Sequence, residues 1–265
     1  MREYIDACAY IGAYPFRKVE HTSARDLVAA MDEYGITQAI VSSLPAIYYR
    51  DVRDGNLELM SEIAPFRGRL IPAATGNPVY NCAMEDLERY AGEFGCREVR
   101  LFPRQHGYQL TDEKAVRYLR RAAELSVAVA LPLYVEDPRQ RHVLDILDPV
   151  GAAEIRDAAV LAPETDFVLH NAGNLGYAHT LAPVAASRTG AFYYDFGRTD
   201  CLYSGSLQQM IALAGEDHIL FATSQPLQYP DPAFVKMAFL PEKAGLQEAT
   251  LELIASGNAR RLFAL

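Results

Sequence analysis

Short apolar runs alternate with helical patterns along the whole chain. The first run, Tyr4 to Gly12 (YIDACAYIG), ends in a turn signal at Gly12 and Pro15. Ser23 to Tyr34 then places apolar residues at helical spacing, with Thr22 or Ser23 as N-cap and Gly35 as stop. Further strand patterns follow at Ile36–Ser42, Arg69–Thr75, Glu98–Phe102, Ser126–Leu133, Asp166–His170, Ala191–Asp195 and His218–Ala222. Helices are predicted at Asn56–Ala64, Met84–Phe94, Thr111–Leu125, Leu181–Ser187, Leu207–Ala214, Asp231–Phe239, Leu246–Ser256 and Ala259–Leu265. Leu44 to Asp54, rich in tyrosine and charge, reads as an insert after the second strand. Asp137 to Pro163 is helical in pattern but broken at Pro149.

Eight strands in alternation with helices, several of them apolar throughout, predict a parallel sheet covered on both faces. The fold expected is a (β/α)8 TIM barrel, one domain over residues 1–265. An open doubly wound sheet is the alternative. No GxGxxG or GxxxxGK[ST] loop follows any strand, which argues against it when a nucleotide is the ligand.

Composition narrows the partners. The net charge of −9 opposes nucleic acid and anionic membrane surfaces, although a local pocket can still be basic. Half of the residues are apolar, yet no run is long enough to cross a bilayer. The expected location is cytoplasmic and the expected partner a small molecule. The four cysteines, Cys8, Cys82, Cys96 and Cys201, form no CxxC pair, so reduced thiols are expected.

In a barrel of this kind the reactive side chains lie at the C-terminal strand ends. Four stretches there carry a resemblance: Ile5 to Gly12 (IDACAYIG), Leu169 to Asn174 (LHNAGN), Glu216 to Pro226 (EDHILFATSQP) and Gly257 to Phe263 (GNARRLF). In order and placement they resemble the amidohydrolase superfamily, in particular its small barrels related to aminocarboxymuconate semialdehyde decarboxylase and 2-pyrone-4,6-dicarboxylate lactonase. The resemblance implies a hydrolase or a lyase (a decarboxylase) acting on a small carboxylated, cyclic or aromatic compound. It also implies one or two divalent metals, held by a His-x-His pair on strand one, histidines ending strands five and six, and an aspartate ending strand eight. Position by position only His170 survives. Cys8 and Tyr10 replace the His-x-His pair, Pro132 stands near the strand-five histidine, and Ser224 replaces the aspartate. A catalytic ion needs about three protein ligands around one open position. The expectation is therefore no metal and metal-independent chemistry; a zinc site rebuilt from Cys8, His170 and Glu136 is the alternative.

Each candidate has a plain structural reading beside its functional one. His170 is a general acid or base, or a structural hydrogen-bonding histidine. Cys8 is a nucleophile if a neighbour activates it, or a small buried hydrophobe. Tyr10 is an oxyanion donor or a filler of the space left by lost ligands. Arg100 and Arg104 flank the end of strand four and could clamp a carboxylate, or form salt bridges on the rim. Asp195 could orient His170 or bind substrate, and Asn171 and Ser224 are further substrate-binding candidates. Asp6 is expected to tether backbone at the barrel mouth. His106, His142, His179 and His218 read as surface residues. Sixteen tyrosines, among them Tyr48, Tyr49, Tyr108, Tyr134, Tyr193, Tyr194 and Tyr203, suit an aromatic pocket, and Tyr48 and Tyr49 equally suit a homodimer contact. A second function class stays open: a non-catalytic barrel serving as a ligand-binding or assembly module. If Cys8, His170 and Ser224 line an open polar pocket, the enzyme reading has its site; if Tyr10 and Pro132 plug it, the second reading gains.

Overall fold

The computed structural model describes residues 2–137, 139–145, 147–173, 175–197 and 205–265. Eight parallel strands follow one another around a single sheet in the order of the chain. They are β1 (Tyr4–Ile11), β2 (Ile36–Ser43), β3 (Leu70–Gly76), β4 (Glu98–Leu101), β5 (Ala128–Pro132), β6 (Phe167–His170), β7 (Phe192–Asp195) and β8 (Ile219–Leu220). Backbone bonds from Ala7 N to Phe221 O, Ser224 N to Cys8 O and Tyr10 N to Gln225 O join the last strand to the first. The sheet thus closes as a (β/α)8 TIM barrel.

Alternation along the strands divides the apolar residues into two cores, because successive side chains point to opposite faces. Val41, Val99, Leu101, Val129, Leu131, Phe167, Leu169 and Phe221 pack outward under the helices. Ile40, Ala73, Ala128, Ala130, Val168 and Leu220 fill the barrel. Small residues dominate the middle strands inside, and that leaves volume for the long side chains described below.

The first helix, Ala24–Tyr34, begins at Ser23 in a capping box with Asp26 and stops at left-handed Gly35. The insert expected after β2 is ordered: Leu44–Tyr48 forms a short helix and Val52–Ile63 a longer one capped by Asp51. The helical pattern over 137–163 is realised only at Ala152–Leu161. The described residues between β5 and that helix form a loop over the strand ends, where Pro149 and neighbouring charges prevent a buried helical face. No described helix is long and apolar enough to cross a membrane. Cys201 and Tyr203 lie outside the described residues, as does Asn174 at the end of the LHNAGN run.

Candidate active site

The site begins with an irregularity in β1. Between Asp6 and Ala9 this strand advances three residues while β2 advances two, from Ala39 to Val41. This is a β-bulge, and it shifts the side-chain alternation by one. Ile5 faces into the barrel before the bulge, and Cys8 and Tyr10 face into it afterwards. Asp6 fixes the bulge. Its carboxyl accepts from Cys8 N and Thr223 N, each at 3.0 Å, and from the Thr223 hydroxyl. Asp6 thus tethers backbone at the seam between the first and last strands. Burial pushes its pKa up to about 6, against the lowering effect of those donors.

A bulge leaves ladder carbonyls without strand partners, and a buried carbonyl needs one. Arg100 reaches across the barrel from β4 to supply it. Its guanidinium donates to Ala9 O and Ile40 O at 3.0 Å and to Ala7 O at 3.4 Å, and lies over the Tyr10 ring at 4.6 Å. Its Nε donates to Glu98 Oε1 at 2.8 Å, two residues back on the same inward face. Arg100 is therefore a fully buried cation with its donors committed. A rim position as carboxylate clamp or surface salt bridge does not hold for it.

Glu98 links this cation to His170. The second carboxylate oxygen lies 3.3 Å from His170 Nε2, and His170 Nδ1 lies 2.8 Å from Asp195 Oδ2. Asp195 is positioned in turn by backbone N–H groups of Asn171 and Gly197, both at 3.0 Å. Asp195 thus has the contact needed to orient His170. Burial works against an imidazolium here, but the Cys8 sulfur, Glu98 and Asp195 outweigh it and hold the pKa of His170 well above its ordinary value. Burial likewise works to raise Glu98, and Arg100 with His170 reverses it and keeps the carboxyl below the usual range.

Cys8 completes the cluster. Ser224 Oγ lies 3.8 Å from its sulfur and 3.1 Å from Asn171 Oδ1. The Tyr10 hydroxyl is buried beside the sulfur and has no oxygen or nitrogen partner among the described residues. Cys8, Tyr10, Asn171 and Ser224 therefore gather around His170 and Asp195. Arg104 does not: it pairs with Glu154 at 2.6 Å and lines a separate cleft. That cleft lies at the ends of β4 and β5, between Phe102, Pro132 and the loop that follows β5, and holds about 20 Å³, enough for one water. The central cluster itself is closed. Cys8, Glu98, Arg100, His170 and Asp195 each have 0% of their surface exposed, and Tyr10 has 1%.

Glu136 takes no part in the cluster, because Arg17 holds it at 2.6 Å and Asp137 N donates to it. The three-donor group that forms is instead Cys8, His170 and Asp195, whose ligand atoms all lie within 4.8 Å of one another. Thiolate, imidazole and carboxylate are accepted ligands of a borderline divalent ion, so the donor set fits one.

Glu98 is the member of the cluster that the strand pattern hid. Its signal was legible, since Glu98 and Arg100 are two charges at i and i+2 in an otherwise apolar strand, which places both on one face. His106 is half-buried against Ile47 O at 3.1 Å, so the surface reading fails for it.

Comparison with known proteins places these features. A family model described as amidohydrolase matches residues 10–265. No curated protein sequence matches the chain. Among solved structures, a dihydroxybenzoic acid decarboxylase from Polaromonas sp. JS666, with bound manganese and the inhibitor 2-nitroresorcinol, is 18% identical with a TM-score of 0.71, over 100% of this chain and 98% of that one. A variant of 5-carboxyvanillate decarboxylase from Novosphingobium aromaticivorans, with bound manganese, is 14% identical with a TM-score of 0.69, over 100% and 97%. A probable 2-pyrone-4,6-dicarboxylic acid hydrolase from Acinetobacter baumannii, with citric acid bound, is 13% identical with a TM-score of 0.64, over 99% of each chain. At these identities the likeness establishes the fold. The expectation that no metal is held is corrected: two of these neighbours carry manganese, and this barrel regroups three ligand-type side chains at its centre. The sequence reading missed this because it sought donors at the family's positions, whereas Asp195 enters from β7.

Proposed function

Because the chain belongs to the amidohydrolase family, we propose that it is an enzyme that hydrolyses or decarboxylates a small carboxylated cyclic or aromatic compound. The observation that carries this reading is the buried cluster around His170, a strand-end imidazole 2.8 Å from Asp195 and 3.3 Å from Glu98, with the Cys8 sulfur in the same group. Perturbed titratable groups gathered at the C-terminal strand ends of such a barrel mark reacting centres. The substrates of the neighbours, carboxylated aromatics and a pyrone dicarboxylate, supply the compound class.

Cys8, His170 and Asp195 would hold a divalent ion, and a bound ion polarises a substrate oxygen as a Lewis acid. The residues of the chain do the rest. Asp195 fixes the His170 ring through Nδ1, and with Nε2 given to the ion, Glu98, whose carboxylate lies 3.3 Å from that ring, is the buried group left to take up and return a proton. In decarboxylation that proton goes to the ring carbon as its bond to carbon dioxide breaks; in lactone opening water adds to the acyl carbon, and the proton goes to the ring oxygen that leaves. Arg104, at the edge of the cleft, is the cation placed to meet a substrate carboxylate, by exchange with Glu154. Arg100 acts only through Glu98 and the bulge. The whole chain is read as one domain. A cytoplasmic location is read from the unpaired Cys8, Cys82 and Cys96, which suit a reducing compartment.

The closed centre favours a second reading. Tyr10 and Arg100 are buried against one another beside the cluster, while Pro132 lines the separate cleft, and a centre without an opening suits a non-catalytic barrel that keeps the fold to bind or assemble. One experiment decides between them. The purified protein is incubated with zinc or manganese and 2,6-dihydroxybenzoate, 5-carboxyvanillate or 2-pyrone-4,6-dicarboxylate, and carbon dioxide release or ring opening is followed. Turnover lost in His170→Gln supports the enzyme. No turnover, together with saturable binding unaffected by His170→Gln, supports the second reading.

A further inference from the structure

The neighbours named above hold manganese, an ion served by oxygen and nitrogen donors. The donor group of this chain contains a sulfur. We infer that the centre of this barrel is a thiolate metal site, in which Cys8 Sγ joins His170 and Asp195 to select a zinc-class ion over manganese. The inference rests on the metal-assisted reading above and assigns the ion and the ligand that chooses it.

Three features make Cys8 a built ligand. Its position is fixed by the Asp6-locked bulge, since a β1 strand without the extra residue would turn this side chain to the outer face. Its surroundings are polar where an inert core cysteine would meet apolar groups. Ser224 Oγ approaches the sulfur at 3.8 Å, and the otherwise unpartnered Tyr10 hydroxyl lies beside it. Outer hydroxyls of this kind orient and tune a metal-bound ligand. Charge favours an ion as well: the Cys8 thiolate, Glu98, Asp195 and Asp6 are buried together with Arg100, and a doubly positive ion would offset anions that this one guanidinium leaves uncompensated.

Thiolate donors favour zinc and cobalt(II), whereas manganese stands at the weak end of the divalent series. Zinc should therefore bind more tightly than manganese by more than about tenfold. The test uses the whole chain stripped with chelator and titrated with cobalt(II). The expected result is a near-ultraviolet thiolate-to-cobalt charge-transfer band that is displaced by zinc and not by equimolar manganese. In Cys8→Ser the band disappears, while Cys82→Ser retains it. Far-ultraviolet circular dichroism checks that Cys8→Ser is folded. Should that variant unfold, X-ray absorption at the zinc edge of the loaded wild-type protein, with a sulfur in the coordination shell as the expected result, serves instead. Cobalt(II) bound without the band, a band unchanged in Cys8→Ser, tighter manganese than zinc binding, or no binding of any of these ions overturns the inference. Turnover of a carboxylated aromatic by a protein lacking the band would leave the proposed activity standing and remove only the thiolate.

Discussion

Replacing Arg100 with methionine tests whether the interior of the barrel is organised around this cation. Methionine matches much of the length and removes the charge. Glu98 would then face a buried void of positive charge, relieved only by His170. Removing one partner of a buried pair costs about 3–5 kcal/mol. The carbonyls of Ala9 and Ile40, each bonded at 3.0 Å, lose their donor. An orphaned buried acceptor costs about 1–3 kcal/mol, and the Ala7 contact at 3.4 Å adds little. Loss of the guanidinium over the Tyr10 ring adds to this and local relaxation offsets a part, so the net loss is about 5 kcal/mol. A typical domain has only about 5–15 kcal/mol in all. Urea unfolding followed by circular dichroism and tyrosine fluorescence is suitable, since the chain has no tryptophan. Arg100→Lys keeps the charge and loses the fork, and should cost about 2 kcal/mol. Glu98→Gln combined with Arg100→Met removes the stranded carboxylate and should recover about 2–3 kcal/mol of the loss. A loss under about 1 kcal/mol for Arg100→Met, or a double variant no better than the single, would refute the reasoning.

Three further outcomes follow from the same geometry. Asp6 has a folded pKa raised from 3.8 to about 6, so its stabilising contribution is full below its ordinary pKa and is lost as pH rises through about 6. Wild type should therefore lose about 3 kcal/mol relative to Asp6→Asn between about pH 3 and pH 8, roughly half of it above pH 5, read by urea midpoints, and a flat difference would contradict it. Iodoacetamide at neutral pH, followed by peptide mapping, should label exposed Cys82 well ahead of Cys96, whose burial pushes its thiol up to about 12; equal labelling would be inconsistent with that environment. Gly55→Ala should cost about 1–3 kcal/mol, because its new methyl would lie 2.6 Å from Ala46 Cα and force the Leu44–Tyr48 helix away from Val52–Ile63.

The order of the elements was written in the sequence because it rests on local periodicity. Apolar runs of strand length, Ser23 and Gly35 as caps, and alternation with helices suffice to specify eight strands and the barrel. The strand ends holding Cys8, His170 and Asp195 were legible for the same reason, as were the motifs that resemble amidohydrolases. What the centre of the barrel contains was decided only in three dimensions. An extra residue in β1 reverses the facing of Cys8 and Tyr10, and a bulge leaves no periodic signature in so short a run. Arg100 looked like a rim residue from its place near a strand end, yet it points inward, because carbonyls freed by that bulge need a donor and the small residues of neighbouring strands leave room for it. Glu136 and Asp195 were both carboxylates near strand ends. Arg17 claims the first, and the register of β6 and β7 delivers the second to His170. Local pattern sets which face of which element a residue occupies; long-range closure sets which of those residues meet.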